Sequence, residues 1–149
     1  MSASEVARAW VALGTNLGER EEHLAWARRR LGELPGTRLL GASAIEETAP
    51  LGDIPQPHYL NQMVLLETAL PPRILLDTCL KIERETGRVR GPDKWGPRTL
   101  DLDIVRFGTR RLRDPDIRVP HPQLPHRDWW QREIEELDQL APVRKDDDA

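Results

Sequence analysis

Asp101 and Asp103 stand two apart in Thr99–Phe107 (TLDLDIVRF), where polar and apolar residues alternate. The alternation predicts a strand, on which residues i and i+2 share a face with Cα atoms about 6.5–7 Å apart. Leu100, Leu102 and Ile104 then take the opposite, core-facing side. Two carboxylates on one surface repel each other unless a cation or an arginine lies between them. At this spacing they can share one Mg²⁺ or bridge a pair, because Mg²⁺ binds a few carboxylates and fills its shell with phosphates and water. The alternative is the exposed polar face of an ordinary edge strand. Asp is depleted in strands, so a repeated Asp needs a reason.

The segment before this strand, Arg88–Arg98 (RVRGPDKWGPR), supplies Arg88, Arg90, Lys94 and Arg98 between two glycines and two prolines. Guanidiniums beside a carboxylate pair suit a Mg²⁺-bound polyphosphate, with metal on some oxygens and arginine on the rest. A loop of this composition can close over a substrate and exclude water. A basic surface loop neutralised by nearby acids is the plainer reading. Trp95, within it, has either a ligand to stack on or an ordinary packing role. Tyr59 and Asn61 follow a proline-rich loop, and an Asn can donate to and accept from the amide-like edge of a heterocycle. His121, Arg127, Glu83, Gly14 and Asn16 each also have a local structural reading. The G-x-x-x-x-G-K-[ST] phosphate loop and the protein-kinase signatures are absent.

These residues need a frame. Ala7–Leu13 reads as a strand that runs into the turn Gly14–Gly18. Glu19–Leu34 reads as a helix with Leu24, Ala27 and Leu31 on one stripe, stopped by Pro35-Gly36. Thr37–Glu46 is a second strand, Thr48–His58 a stiff loop and Gln62–Thr68 a third strand. Pro71-Pro72 opens a helix over Arg73–Thr86 that Gly87 would cap. After Thr99–Phe107 a short strand is expected near Arg111–Arg113, then irregular chain over Val119–Arg127 and a helix over Trp129–Leu140. The order β-α-β-β-α-β is that of a ferredoxin-like α+β fold, an antiparallel sheet with helices packed on one face.

A chain of 149 residues, 38% hydrophobic and 32% charged, suits one domain with a full core. We expect a single domain over residues 1–144 and a disordered tail over 145–149. No apolar run approaches the roughly 20 residues of a bilayer-spanning helix, and no signal-peptide pattern opens the chain. The single cysteine, Cys79, excludes an intrachain disulfide and suits a reducing cytoplasm. Net charge is −3, unevenly spread: Arg88–Arg118 holds nine basic and five acidic side chains, Asp128–Ala149 three and eight. Arginine outnumbers lysine 19 to 3, which suits two-point grip on phosphate.

Together these segments resemble the 6-hydroxymethyl-7,8-dihydropterin pyrophosphokinase family of folate biosynthesis, from about Ala9 to Arg127. The most specific stretch is Gly87–Gly108 (GRVRGPDKWGPRTLDLDIVRFG), supported by ALGTNLG, ETAPLG, the YLN triplet Tyr59–Asn61 and VPH at Val119–His121. The resemblance implies an αβα ferredoxin-like architecture and transfer of pyrophosphate from ATP to the pterin's hydroxymethyl oxygen, with release of AMP. It implies that Asp101 and Asp103 hold two Mg²⁺ ions, and that Arg88 and Arg98 act in a catalytic loop. It puts Glu83, Arg90, Arg98, His121 and Arg127 at ATP. Gly14, Thr48, Leu51, Tyr59 and Asn61 would form the pterin site, with Trp95 closing over it. Small-molecule substrates, a cytoplasmic monomer, and neither nucleic-acid nor membrane partners are expected.

The chain departs from the family pattern after Arg127, where it reads DWWQRE in place of an aromatic, an apolar pair and a Pro-Leu segment. Trp129 takes the position of the phenylalanine that stacks on the pterin, Leu80 replaces a polar contact, and Asp116 stands where a basic residue is common. A relative acting on another pterin-like alcohol is therefore one rival reading. Others are a nucleic-acid-binding module that uses the Arg88–Arg118 stripe, with Trp95 for stacking, and a catalytically dead binding protein.

Overall fold

The computed structural model describes residues 6–50, 52–53, 55–86 and 100–141. Within them run β1 (Ala7–Thr15), α1 (Arg20–Gly32), β2 (Thr37–Ala42), β3 (Glu46–Thr48), β4 (Tyr59–Thr68), α2 (Pro72–Glu85) and β5 (Asp101–Phe107). β6 (Leu112–Arg113), β7 (Arg118–Val119), a 3₁₀ turn (Leu124–His126) and α3 (Asp128–Leu140) complete them. The class is α+β. The main sheet is antiparallel, in the order β2-β4-β1-β5, with β3 also paired to β4. β6 and β7 form a separate ribbon.

Period-2 alternation gives the sheet two apolar faces. One, including Val11, Leu13, Val64, Leu66, Leu102 and Ile104, packs on the stripe Leu24, Ala27 and Leu31 of α1 and on Leu75, Cys79 and Ile82 of α2. The other, with Trp10, Ala12, Met63, Leu65 and Val105, packs on Trp130, Ile134 and Leu137 of α3. Helices thus cover both faces, in the three-layer αβα arrangement that the resemblance implies; only the reading of helices on one face from element order alone is corrected. The third helix has its own apolar stripe, and only the second sheet face was left to bury it.

Local chemistry explains the boundaries. After α1 the chain reverses at Gly36, whose φ of +58° is a left-handed geometry that favours glycine. Pro72 opens α2, where a missing N–H costs nothing. The single strand expected over Thr37–Glu46 is two. Pairing slips between Leu39 and Gly41, and at Ser43 the N–H still donates to the Met63 carbonyl at 2.8 Å while the hydroxyl accepts the Met63 N–H at 2.9 Å, so a side chain takes over one bond of the ladder. The segment expected to be irregular from Val119 contributes to β7, and β1 runs through Gly14 and Thr15 before turning. Gly87 and the 145–149 tail lie outside the described residues. Among the described residues no helix is long and apolar enough to cross a membrane.

Candidate active site

Strand register builds the site. Across the sheet, Glu46 of β3 pairs with Asn61 of β4, Asn61 with Gly14 of β1, and Gly14 with Asp101 of β5. Directly paired residues share a face, so this row puts an amide and a carboxylate on one surface, with a residue lacking a side chain between them. Two strand spacings separate Asn61 from Asp101, about 9–10 Å. A Cβ on Gly14 would stand 3.6 Å from Asn61 Oδ1 and 3.7 Å from Tyr59 Cδ1, ordinary contact distances. Glycine here leaves room above the row rather than relieving a clash.

Over this row opens a cleft of about 510 Å³. Ten of the site residues assigned from the sequence line it: Gly14, Thr48, Tyr59, Asn61, Glu83, Asp101, Asp103, His121, Arg127 and Trp129. They come from separate elements, so the fold brings them together. Leu51, Arg88, Arg90, Trp95 and Arg98 lie outside the described residues.

At one end, the Asn61 amide donates to the Thr48 hydroxyl at 2.6 Å and to the Glu46 carbonyl at 3.4 Å. These bonds fix the amide's plane and leave its oxygen toward Gly14. The proline-rich segment leading into Tyr59 is fastened from the other side. Asn16, almost fully buried, donates to Gln56 Oε1 at 2.8 Å and to the Pro57 carbonyl at 2.9 Å.

At the other end, Asp101 and Asp103 are half-buried on the α3 face of β5, opposite the buried Leu102 and Ile104. β5 is an edge strand, and its outer side is covered by two contacts. The Leu102 N–H, between the two aspartates, donates to Glu83 Oε2 at 2.7 Å, and the His121 N–H donates to the Val105 carbonyl at 2.9 Å. Glu83 is 5% exposed, so a carboxylate of α2 is buried to hold the strand that carries the pair. Near it the Cys79 thiol is pushed well above its usual range, by burial first and then by the charges of Glu83 and Asp103. That cysteine is an inert part of the core.

His121 has a defined tautomer. Its Nδ1 accepts the Gln123 N–H at 3.0 Å, so the proton of the neutral ring sits on Nε2, 3.7 Å from Asp103 Oδ1. The ring packs edge-on against Trp130 at 5.1 Å. Arg127 lies over the Trp130 ring at 4.5 Å and the Trp129 ring at 5.8 Å. Its Nε and the Trp129 Nε1 are buried without a hydrogen-bond partner among the described residues.

Two carboxylates with room around them fit a hard divalent cation that keeps water and phosphate in its shell. Among the described residues no three His, Cys, Asp or Glu converge into a protein-only cage. Sequence reasoning had not placed Leu76, Arg118, Gln123 or Trp130 on the cleft, and single-residue patterns carried no signal for them. Asp116 also lines it, with its carboxylate held by Arg73 Nη1 at 3.0 Å. Leu80 contributes an apolar wall.

The model of the family described as 7,8-dihydro-6-hydroxymethylpterin-pyrophosphokinase (HPPK) matches residues 10–139. The chain belongs to the HPPK family. It is 46% identical over 116 residues to a 2-amino-4-hydroxy-6-hydroxymethyldihydropteridine pyrophosphokinase of Pseudomonas aeruginosa, covering 78% of this chain and 71% of the relative. A protein of the same description from Pseudomonas putida is 45% identical over 115 residues, 76% of this chain and 93% of its own. One from Bacillus subtilis is 40% identical over 116 residues, 78% and 69%. The HPPK match runs beyond Arg127, so the stretch that departs from the family's usual pattern still aligns with it.

Proposed function

We propose that this chain is an ATP-dependent pyrophosphokinase that transfers the β,γ-diphosphoryl group of ATP to the hydroxymethyl oxygen of 6-hydroxymethyl-7,8-dihydropterin. The observation that carries the reading is one cleft, in a member of the HPPK family, with a heterocycle-reading amide at one end and a carboxylate pair at the other. In the reaction the alcohol oxygen bonds to the β-phosphorus while the bond from that phosphorus to the α,β-bridging oxygen breaks. AMP leaves, and the alcohol proton passes to solvent.

Asp101 and Asp103 would hold Mg²⁺, two ions by resemblance to the family. When bound, the metal supplies charge neutralisation on the phosphates and acidifies the alcohol. The Asn61 amide, held by Thr48, orients the pterin edge against Gly14, and Tyr59, Leu51, Trp95 and Trp129 supply apolar and stacking surface. His121, through Nε2–H, and the Arg127 guanidinium would donate to the nucleotide phosphates, a role the resemblance also gives Arg90. Arg88 and Arg98 take charge that develops on the moving group. Glu83 belongs to the ATP end through its hold on Leu102.

The strand order supports the ferredoxin-like assignment, with α1 and α2 on one face and α3 on the other. We further take residues 1–144 as one domain, working as a cytoplasmic monomer on small molecules with no nucleic-acid partner. The deciding experiment mixes the protein with ATP, Mg²⁺ and the reduced hydroxymethylpterin. AMP and the pterin diphosphate are expected, whereas ADP would refute the chemistry. Trp129, a larger ring than the family's phenylalanine, favours one second reading, an altered pterin acceptor. Faster turnover with a modified pterin alcohol would establish it.

A further inference from the structure

Glu133 of α3 is 2% exposed, and both of its carboxyl oxygens are buried without an N–H donor among the described residues. It faces Glu46 of β3, whose Oε1 takes Arg132 Nη2 at 3.1 Å and Nε at 3.3 Å, and whose Oε2 is buried with no such donor. Three buried carboxyl oxygens thus lack donors. A buried Glu133 anion would carry a desolvation penalty and be repelled by Glu46, whose side chain is partly exposed but whose Oε2 is buried beside it. A single proton removes both problems, because one O–H···O bond between the groups satisfies an oxygen on each side.

The position of this pair matters. Glu46 ends the row Glu46–Asn61–Gly14–Asp101, its carbonyl accepts from Asn61, and Thr48 follows two residues on. Glu133 lies one helical turn after Trp129. Thr48 and Trp129 both line the cleft. We propose that Glu133 is a positioning residue that keeps its carboxyl proton and donates it to Glu46, tying α3 to β3 and setting the distance between the Trp129 and Thr48 walls of the cleft. This rests on the pterin reading of that end of the cleft.

The charged groups facing Glu133 are Glu46 from β3 and, on its own helix, Arg132 and Glu136. Leu40 of β2, Met63 and Leu65 of β4, and Leu124 of the 3₁₀ turn present apolar side chains to the same core. Burial, then the hydrogen bond and charge of Glu46, raise the Glu133 carboxyl to about 9, with Arg132 opposing and Glu136 adding. The folded state therefore holds one proton more than the unfolded state between the usual carboxylate range and about 9. Stability falls as pH rises across that window and levels off above it.

The test compares the wild type with Glu133→Gln, whose amide donates to Glu46 at every pH, and with Glu133→Ala, which donates nothing. From pH 6.5 to 8.5 the wild-type folding equilibrium constant should drop by roughly a hundredfold more than that of Glu133→Gln, one proton's worth. The KM for the hydroxymethylpterin should rise several-fold in the wild type as pH passes about 9, stay flat in Glu133→Gln, and be raised throughout in Glu133→Ala. The KM for ATP should hold in all three. Superimposed pH profiles for wild type and Glu133→Gln would overturn the proposal, and so would an unchanged pterin KM in Glu133→Ala. If Glu133→Ala does not fold, the Gln comparison decides alone. A wild type that makes no AMP would refute the functional reading, and the link to the cleft with it, while the denaturation comparison would still decide the proton.

Discussion

Replacing Glu83 separates a role in holding β5 from a role in touching substrate. Its Oε2 accepts the Leu102 N–H at 2.7 Å from a side chain that is 5% exposed. A hydrogen bond to a charged group contributes about 1.5–3 kcal/mol, and a buried donor left without a partner costs about 1–3 kcal/mol. Glu83→Ala removes the acceptor and leaves a small void, so a loss of about 3 kcal/mol is expected, or roughly 6–12 °C in Tm for a domain of this size. Glu83→Gln keeps a carbonyl oxygen in reach of the same N–H and gives up only the charge, which should cost about 1 kcal/mol.

The kinetic consequence follows from where the bond lies. Leu102 separates Asp101 from Asp103, so slackening its backbone moves both carboxylates, and a displacement of about 1 Å at a reacting centre can cost about 10²-fold. Urea denaturation should give the stability loss, and a Mg²⁺ titration of AMP formation should show a raised metal requirement in Glu83→Ala that Glu83→Gln largely restores. An alanine variant with unchanged stability and no activity would refute this reasoning, since Glu83 would then act on substrate directly. So would a glutamine variant as inactive as the alanine one.

Asp103→Ala should abolish turnover while leaving the urea midpoint near that of the wild type, because the side chain is half-exposed; near-normal AMP release would remove the metal assignment. Arg98→Ala should lower kcat far more than it raises the KM for ATP, and a pure KM effect would move Arg98 away from the transition state. Gly14→Ala should fold with little change in Tm, since its methyl meets Asn61 and Tyr59 at ordinary distances, yet raise the pterin KM about tenfold or more by filling the space above them. A pterin KM within twofold of the wild type would mean that the ligand does not pass over Gly14.

What could be read without coordinates was what local pattern encodes. The alternation in Thr99–Phe107 assigned Asp101 and Asp103 to the face away from Leu102 and Ile104, where the structure has them, and the stripe Leu24, Ala27, Leu31 marked α1. β3 and β7 are three and two residues long, too short for any period to register, and both exist because the chain folds back to pair β4 with β3 and β6 with β7. A helix was expected over Trp129–Leu140, but nothing local told which sheet face its Trp130, Ile134 and Leu137 would cover. The same division runs through the site. Asn61, Gly14 and Asp101 were each noticed, and each had a plain local explanation. Only register, a property of pairing between distant segments, makes them neighbours in one row. Glu133 is the extreme case. From sequence it is one acid among several on a charged helix, and its chemistry arises only because α3 packs over the sheet face and brings it against Glu46. Residues that gain their chemistry from a partner far along the chain escape pattern reading, and they are where coordinates add most.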